Sequence, residues 1–409
     1  MTPREERRLP ATSEHARHWP LDPEVVFLNH GSFGACPTPV LAAQAAYRER
    51  LESGPVQFLH RDLVGLLDEA RAELARFVGA DPEELTFVPN ATTGVSTVLR
   101  SLEFRPGDEL LTTNHEYNAC RNALDFVAGR SGARVVVAEV PYPVESPAQI
   151  VEAILPLVGQ RTRLGLFDHV TSLTGMVMPI GDIVAALAER GIDTLVDGAH
   201  APGMVPLDVS SIGPAFYTGN CHKWLCTPKG AALLYVRRDL QGSIRPLTIS
   251  HGANQPVEDR SRFRMEFDWT GTHDPTAYLS VPHAIRFMGG LLPGGWRELR
   301  ETNRSLALSA RRMLCERFGV PPACPDEMIG TLASVPLARG PYRFTTMRLA
   351  FDPVEHELRE KYRIEVPVLD CPDGPGSILR IAAQIYNSFE QYEYLADALE
   401  EALASRRGD

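Results

Sequence analysis

Residues 192–224 read IDTLVDGAHAPGMVPLDVSSIGPAFYTGNCHKW. The stretch opens with a short apolar run, Ile192–Val196, that ends on an acid, Asp197. Such a run predicts a buried strand of a mainly parallel sheet. An acid immediately after it stands at the carboxyl edge of that sheet, where ligands bind in open α/β folds. Taken alone, an Asp here also serves as a helix cap or turn residue. After a second apolar stretch, Ala215–Tyr217, comes Lys223, set in Gly219-Asn220-Cys221-His222-Lys223-Trp224. A lysine flanked by an aromatic residue in a polar loop at a strand end can be desolvated and lowered in pKa, which suits Schiff-base chemistry.

The pattern repeats outward from this stretch. Leu85–Val88, Glu109–Thr112, Arg134–Val140, Arg163–Phe167 and Ala231–Val236 are further short apolar runs, separated by helix-like text. Val135-Val136-Val137 is apolar on both faces, as in a buried strand. Leu63, Leu67, Ala70, Leu74 and Phe77 recur at three- and four-residue steps before Gly79, which predicts an amphipathic helix with a glycine stop. The alternation predicts an α/β domain with helices on both faces of the sheet. After about residue 275 the texture changes to a long helix near Trp296–Phe318 and Pro-rich loops at Val320–Pro325 and Ser334–Pro341. Strand-like Thr346–Phe351, Ile364–Val368 and Ser377–Ile381 and a last helix near Phe389–Ala404 follow. The expected organisation is an arm with little structure of its own at 1–24, a large domain at 25–274, and a smaller C-terminal α+β domain at 275–409.

Composition narrows the function. The chain has 409 residues, 44% hydrophobic and 23% charged, as in an ordinary soluble protein. A net charge of −11 argues against a nucleic-acid binder, and no apolar stretch is long enough to span a membrane. Met1 to Arg8 is charged with no apolar core behind it, unlike a signal peptide. The seven cysteines, at 36, 120, 221, 226, 315, 324 and 371, are irregularly spaced without a CxxC pair. They predict reduced thiols in a cytoplasm and no metal site. Of 41 basic residues only Lys223, Lys229 and Lys361 are lysine, so 41 − 3 = 38 are arginine. Any chemistry that needs a lysine has three positions to choose from. Lys361 reads as solvated and Lys229 as a turn residue before a strand.

Pro89-Asn90-Ala91-Thr92-Thr93-Gly94 lies between a strand and a helical stretch. Small and hydroxyl residues at a helix N-terminus can hold a phosphate. The spacing is not that of a P-loop.

A phosphate loop, then an Asp at a strand end, then a lysine 26 residues later resembles the fold-type-I pyridoxal-phosphate (PLP) enzymes. Within them the chain resembles the class V aminotransferase superfamily, and there the isopenicillin N epimerase-like proteins. Phe27–Gly34, Asp168–Gly175, the Asp197 and Lys223 segments, Trp269–Asp274 and Arg380–Asn387 carry the resemblance, which spans roughly residues 25–400. It implies a large domain with a mainly parallel sheet and PLP as cofactor. Lys223 would be the Schiff-base lysine, Asp197 the partner of the pyridine nitrogen, and Thr92, Thr93 and Gly94 the phosphate loop. Tyr117 would stack on the ring, Ser172 would lie near the phenolic oxygen, and His200 would lie close to the ring. Asn220 and His222 would reach the phosphate. Thr272 would reach the cofactor phosphate of a second subunit, which implies a homodimer with shared active sites. Arg380 would clamp the α-carboxylate of an amino-acid substrate, with Asn29 and His30 facing that substrate. Cys371 matches neither desulfurase loop pattern. The implied reaction is epimerase-like chemistry at Cα. C–S lyase chemistry on a cysteine derivative is the next alternative, then transamination or decarboxylation.

Overall fold

The β-α alternation builds a single central sheet. The computed structural model describes residues 8–257, 259–340, 342, 352–369 and 375–407. A short strand, β1 (Val26–Phe27), comes first, followed by β2 (Leu85–Val88), β3 (Glu109–Thr113), β4 (Arg134–Ala138) and β5 (Thr162–Asp168). Then come β6 (Asp193–Asp197), β7 (Phe216–Asn220) and β8 (Ala232–Val236). The last seven pair in the order β2-β8-β7-β6-β5-β3-β4. Only β8 runs antiparallel to its neighbours; the other pairs are parallel. Every residue of β7 and β8 is buried, as expected of strands covered on both faces. β4 differs from its expectation. It is the edge strand, so Val135, Val136 and Val137 are half-buried.

β7 extends beyond the apolar stretch seen in the sequence. Its second half, Thr218-Gly219-Asn220, is polar, yet it pairs with β8 through Asn220. Thr218 resolves part of the reason: its Oγ1 donates to the Leu233 carbonyl at 2.8 Å, so the hydroxyl is satisfied inside the sheet. The predicted amphipathic helix is present at Leu63–Val78 and stops at Gly79 in the left-handed conformation.

The C-terminal part carries a second sheet. β9 (Leu332–Pro336), β10 (Ile364–Glu365), β11 (Val368–Leu369) and β12 (Ile378–Ala382) follow in sequence. β11, β12 and β9 form an antiparallel sheet in that order. Ser334–Pro336, expected in a loop, is therefore strand. Pro336 occupies the end of β9, which lies at the sheet edge, where a missing N–H is tolerated. The single strand expected at Ile364–Val368 is two short ones. The break falls at Val366-Pro367, and the Pro367 carbonyl accepts the Arg380 N–H at 3.1 Å. The strand expected at Thr346–Phe351 lies outside the described residues. The long helices run Gly295–Phe318 and Phe389–Arg407.

The N-terminal segment is packed rather than loose. A short 3-10 turn, Glu14–His18, leads to Trp19, which is buried and packs edge-on to Tyr386. Ser13 N–H donates to the Tyr386 carbonyl at 3.1 Å, and β1 pairs in parallel with β10. The beginning of the chain is thus strapped to its end.

Helix Ala91–Ser101 sits on β7 at Gly94. A Cβ built there would lie 2.2 Å from Thr218 Oγ1. Gly94→Ala should destabilise the fold by about 1–3 kcal/mol through overpacking. Gly65→Ala, in an exposed helix position with nothing within 4 Å of the new methyl, should be neutral or stabilising by about 1 kcal/mol. Urea unfolding of the two variants checks this. Equal midpoints would mean that the helix–strand contact is not tight.

Candidate active site

Three parallel strands end in polar residues at one edge: Asp168 closes β5, Asp197 closes β6 and Asn220 closes β7. Their carboxyl ends, the N-terminus of helix Ala91–Ser101 and the turn after β7 surround a cleft. Thr92, Tyr117, Ser172, Asp197, His200, Asn220, His222 and Lys223 all line it, so the sequence-predicted residues at these positions converge, and Asp168 joins them. Lys229 also lines it, and its amine donates to the Gly34 carbonyl at 3.0 Å.

Lys223 is held in a tight turn. Cys221 and His222 N–H both donate to the Ala231 carbonyl, and Cys226 N–H donates back to the Lys223 carbonyl. The N-terminal loop presses on this turn at Gly34, where a Cβ would sit 2.0 Å from the His222 carbonyl oxygen and φ is +70°. Only glycine takes that backbone conformation and that approach readily. Burial, reinforced by the Arg380 charge, pulls the Lys223 amine down to about 8, while Asp197, Asp168 and Cys120 act in the opposite direction. Its Nζ is 2.9 Å from His200 Nε2.

Asp197 is buried beside two other acids, Glu116 and Asp168. Burial raises all three above the usual carboxylate range, and mutual repulsion raises Glu116 and Asp168 further. Asp197 has the better donors. Its Oδ1 accepts the Ala199 N–H at 2.9 Å and its Oδ2 accepts the Cys120 S–H at 3.0 Å. Glu116 Oε1 and Asp168 Oδ2 are buried with no hydrogen-bond partner. The negative charge of the group therefore belongs on Asp197, with its neighbours protonated. Glu116, Cys120 and Asp197 bring ligand atoms within 4.8 Å of one another. The Cys120 thiol is pushed well up by burial and by these acids, so it keeps its proton and serves as a donor.

Arg380 comes from β12 and bonds two residues of the cleft wall, Ser172 and Ser32. It is buried; Nη1 donates to the Ser172 carbonyl, Nη2 donates to Ser32 Oγ at 2.7 Å, and Nε has no partner. Among the described residues no carboxylate lies within ion-pair distance of it. Burial lowers its pKa to about 10. A buried guanidinium without a counter-ion is costly to keep and suited to receive an anion in two parallel hydrogen bonds.

Several of the expected site residues spend their polar atoms on bonds within the protein. His30 does not line the cleft. It is fully buried, its Nδ1 pairs with Tyr386 Oη at 2.9 Å and its Nε2 with the Lys223 carbonyl at 3.0 Å. Burial lowers it to about 3, so it is neutral and supports the lysine turn. Asn29 is likewise off the cleft wall; its Oδ1 accepts from Ser32 Oγ at 2.6 Å and from Arg380 Nη2 at 3.4 Å. Thr93 is tied to the Asn90 cap through both its N–H and its hydroxyl. Asn220 Oδ1 accepts the Ala91 N–H at 2.8 Å, which fixes the helix end to β7. His222 Nδ1 pairs with the Ala231 carbonyl at 3.1 Å. Gly94 makes the close packing described above. Thr272 lines a different cavity, together with Thr93, Thr97 and Tyr278. Cys371 lies outside the described residues.

Sequence reasoning missed Glu116, Cys120 and Asp168 as members of the site. Asp168 carried a usable signal, since it ends an apolar run just as Asp197 does. Ser32, Lys229 and Trp224 gave no such signal.

The family model described as aminotransferase class V matches residues 26–313. The chain is 38% identical to isopenicillin N epimerase of Amycolatopsis lactamdurans, over 93% of this chain and 96% of that protein. It is 32% identical to a probable chloroplastic L-cysteine desulfhydrase of Arabidopsis thaliana, over 95% of this chain and 84% of that one. Among solved structures it resembles a C-DES mutant with glycine covalently linked to the PLP cofactor, with a TM-score of 0.75, 22% identity, and coverage of 94% and 98% of the two chains.

Proposed function

The chain belongs to the class V aminotransferase family of PLP enzymes, fold type I, and from that premise we propose that it exchanges the Cα hydrogen of an amino-acid substrate in an epimerase-like reaction. The observation that carries this reading is the buried Arg380, which has no carboxylate partner among the described residues and bonds Ser172 and Ser32, two residues of the wall of the cleft that holds Lys223 and Asp197. A cation kept without a counter-ion beside an amine of lowered pKa is what binding a free α-carboxylate requires.

The cleft fits PLP on its donor set. Lys223 supplies a nucleophilic amine, Asp197 a charged carboxylate at the sheet edge, and the helix end near Thr92 backbone N–H groups for a phosphate. The unsatisfied Asp168 Oδ2 is a further sign of a polar occupant. When bound, the cofactor supplies an electron sink for the pair left at Cα. The chain's own residues do the rest. Arg380 fixes the carboxylate and thereby orients the Cα–H bond. Asp197 holds a proton on the ring nitrogen. Lys223 takes or returns the Cα proton on one face, and Tyr117, half-exposed in the cleft wall, is the candidate donor for the other. The six described cysteines are buried and none lines this cleft, which favours proton transfer at Cα over attack by a cysteine nucleophile.

A second reading, C–S β-lyase action on a cysteine derivative, is favoured by the similarity to the desulfhydrase. It uses the same first proton transfer and then expels a thiol. A second copy of the chain completes the site in this proposal, because Thr272 lines a cavity separate from its own chain's cleft.

The purified protein should be yellow with PLP, and Lys223→Ala should be colourless; a wild-type protein that cannot take up PLP would sink the enzyme reading. Amino-acid panels in deuterated water then separate the reactions. Deuterium at Cα with inverted configuration supports epimerisation. Pyruvate, ammonia and free thiol support the lyase, and neither outcome points to transamination or decarboxylation. Arg380→Gln should keep the colour and lower kcat/KM by about 10- to 100-fold, the loss of charge-assisted hydrogen bonds; an unchanged value would place the carboxylate elsewhere. By sedimentation the holo-protein should be a dimer, with Thr272→Ala weakening PLP retention. A monomer that retains PLP fully would remove the second copy from the site.

A further inference from the structure

Trp224 follows Lys223 in the chain, is buried, and packs against the ring of His30 with centroids 4.9 Å apart. Its indole N–H donates to His200 Nδ1 at 3.3 Å. An indole nitrogen is a donor only. Nδ1 of His200 is therefore the acceptor in this bond and carries no proton. Burial above all, with the charge of Arg380, holds His200 well below the usual imidazole range, so the ring is neutral. A neutral imidazole has one N–H, and here it must be on Nε2.

Nε2 is the atom 2.9 Å from Lys223 Nζ. With its proton between the two nitrogens, Nζ accepts through a lone pair and is a free amine. An ammonium at Nζ would require a bare Nε2 and a proton on Nδ1. That proton would point at the indole N–H, donor against donor. We propose that Trp224 is a positioning residue for Lys223: acting through His200, it fixes the tautomer that favours the unprotonated lysine amine.

The consequence is chemical. Condensation of an amine with an aldehyde replaces C=O by C=N and releases the oxygen with both amine protons as water. Only the unprotonated amine enters this step. Other titratable groups also face Nζ: Arg380 from β12, Asp197 from β6, Asp168 from β5 and Cys120 from helix Asn118–Ser131. The charge of Arg380 favours the free amine, that of Asp197 opposes it, and Asp168 and Cys120 oppose it only when ionised. They are the same in a Trp224→Phe variant, which keeps an aromatic ring against His30 and removes the indole N–H together with part of the ring volume.

The inference rests on Lys223 being the cofactor lysine, but its test does not depend on that. The full-length protein, freed of PLP and labelled with carbon-13 at lysine Cε, has three such signals, and Lys229→Arg and Lys361→Arg assign them. Lys223 should titrate near 8, and Trp224→Phe should raise that by about 0.5–1 pH unit, the scale of one hydrogen bond. The rate of PLP uptake at pH 7 should then fall by about 3- to 10-fold, with the loss recovered as pH rises. A folded Trp224→Phe protein with an unshifted lysine overturns the proposal. So does a wild-type lysine near the ordinary 10.5. Should the variant fail to fold, nitrogen-15 histidine spectra of the wild type decide: a proton on Nδ1 of His200 overturns it. A lysine that titrates low in a protein that takes up no PLP would instead defeat the functional reading and leave the tautomer argument standing.

Discussion

The guanidinium of Arg380 and the carboxyls of Glu116, Asp168 and Asp197 are buried in or just behind the wall of the cleft that the half-buried Lys223 lines, where each group's charge depends on the others. Three buried acids cannot all ionise beside one another, and two buried cations cannot both stay charged without compensation. The arrangement settles this unevenly. Asp197, with the Ala199 N–H and Cys120 S–H, keeps the negative charge. Arg380 keeps its positive charge because guanidinium does not give up its proton. Lys223 is the member left to become neutral. The sheet makes this possible, because parallel strands deliver successive chain segments to one edge. β5 and β6 bring two of the acids there, the turn after β7 brings the lysine, and β12 brings the arginine from the other sheet.

Much of this was legible in the sequence, for identifiable reasons. Interior strands such as β6 and β8 are short apolar runs because both faces are covered, so their text is unambiguous. β7 was half-hidden because its site-bearing end is polar, and β9 was mistaken for loop because proline is permitted at an edge. Lys223 and Asp197 stand out in the sequence because each is an unusual residue at a strand end or loop, and Arg380 because it falls within the same ordered set of motifs. The hydrogen bonds of His30, Asn29, Thr93 and Asn220 do not. Each is a polar residue near the site in sequence, but which atom it bonds is decided by packing. His30 turns to Tyr386, a residue more than three hundred positions away, and Asn220 turns to a helix end. Glu116 and Cys120 left no signal, since a buried acid and a thiol on an ordinary helix look like surface and core.

Residues 29–34 tie these parts together. Asn29 and Ser32 hold the Arg380 guanidinium, His30 holds the Lys223 carbonyl, Gly34 lies against the backbone of the lysine turn, and Lys229 bonds the Gly34 carbonyl. The Arg380 guanidinium and the lysine are thus supported by one short segment, itself secured where β1 pairs with β10. A shift of that segment would move both together.

The scarcity of lysine takes its meaning from the same chemistry. Arginine serves at most surface positions of this chain because all that is needed there is a positive charge. At position 223, in the role proposed for it, charge is not enough: the group must be able to lose its proton inside the cleft and then react through its nitrogen. Guanidinium stays protonated and delocalised under the burial that drives an amine to neutrality. A chain can drift toward arginine almost everywhere, but the hydrogen bond from His200 is useful only to a side chain that can accept it.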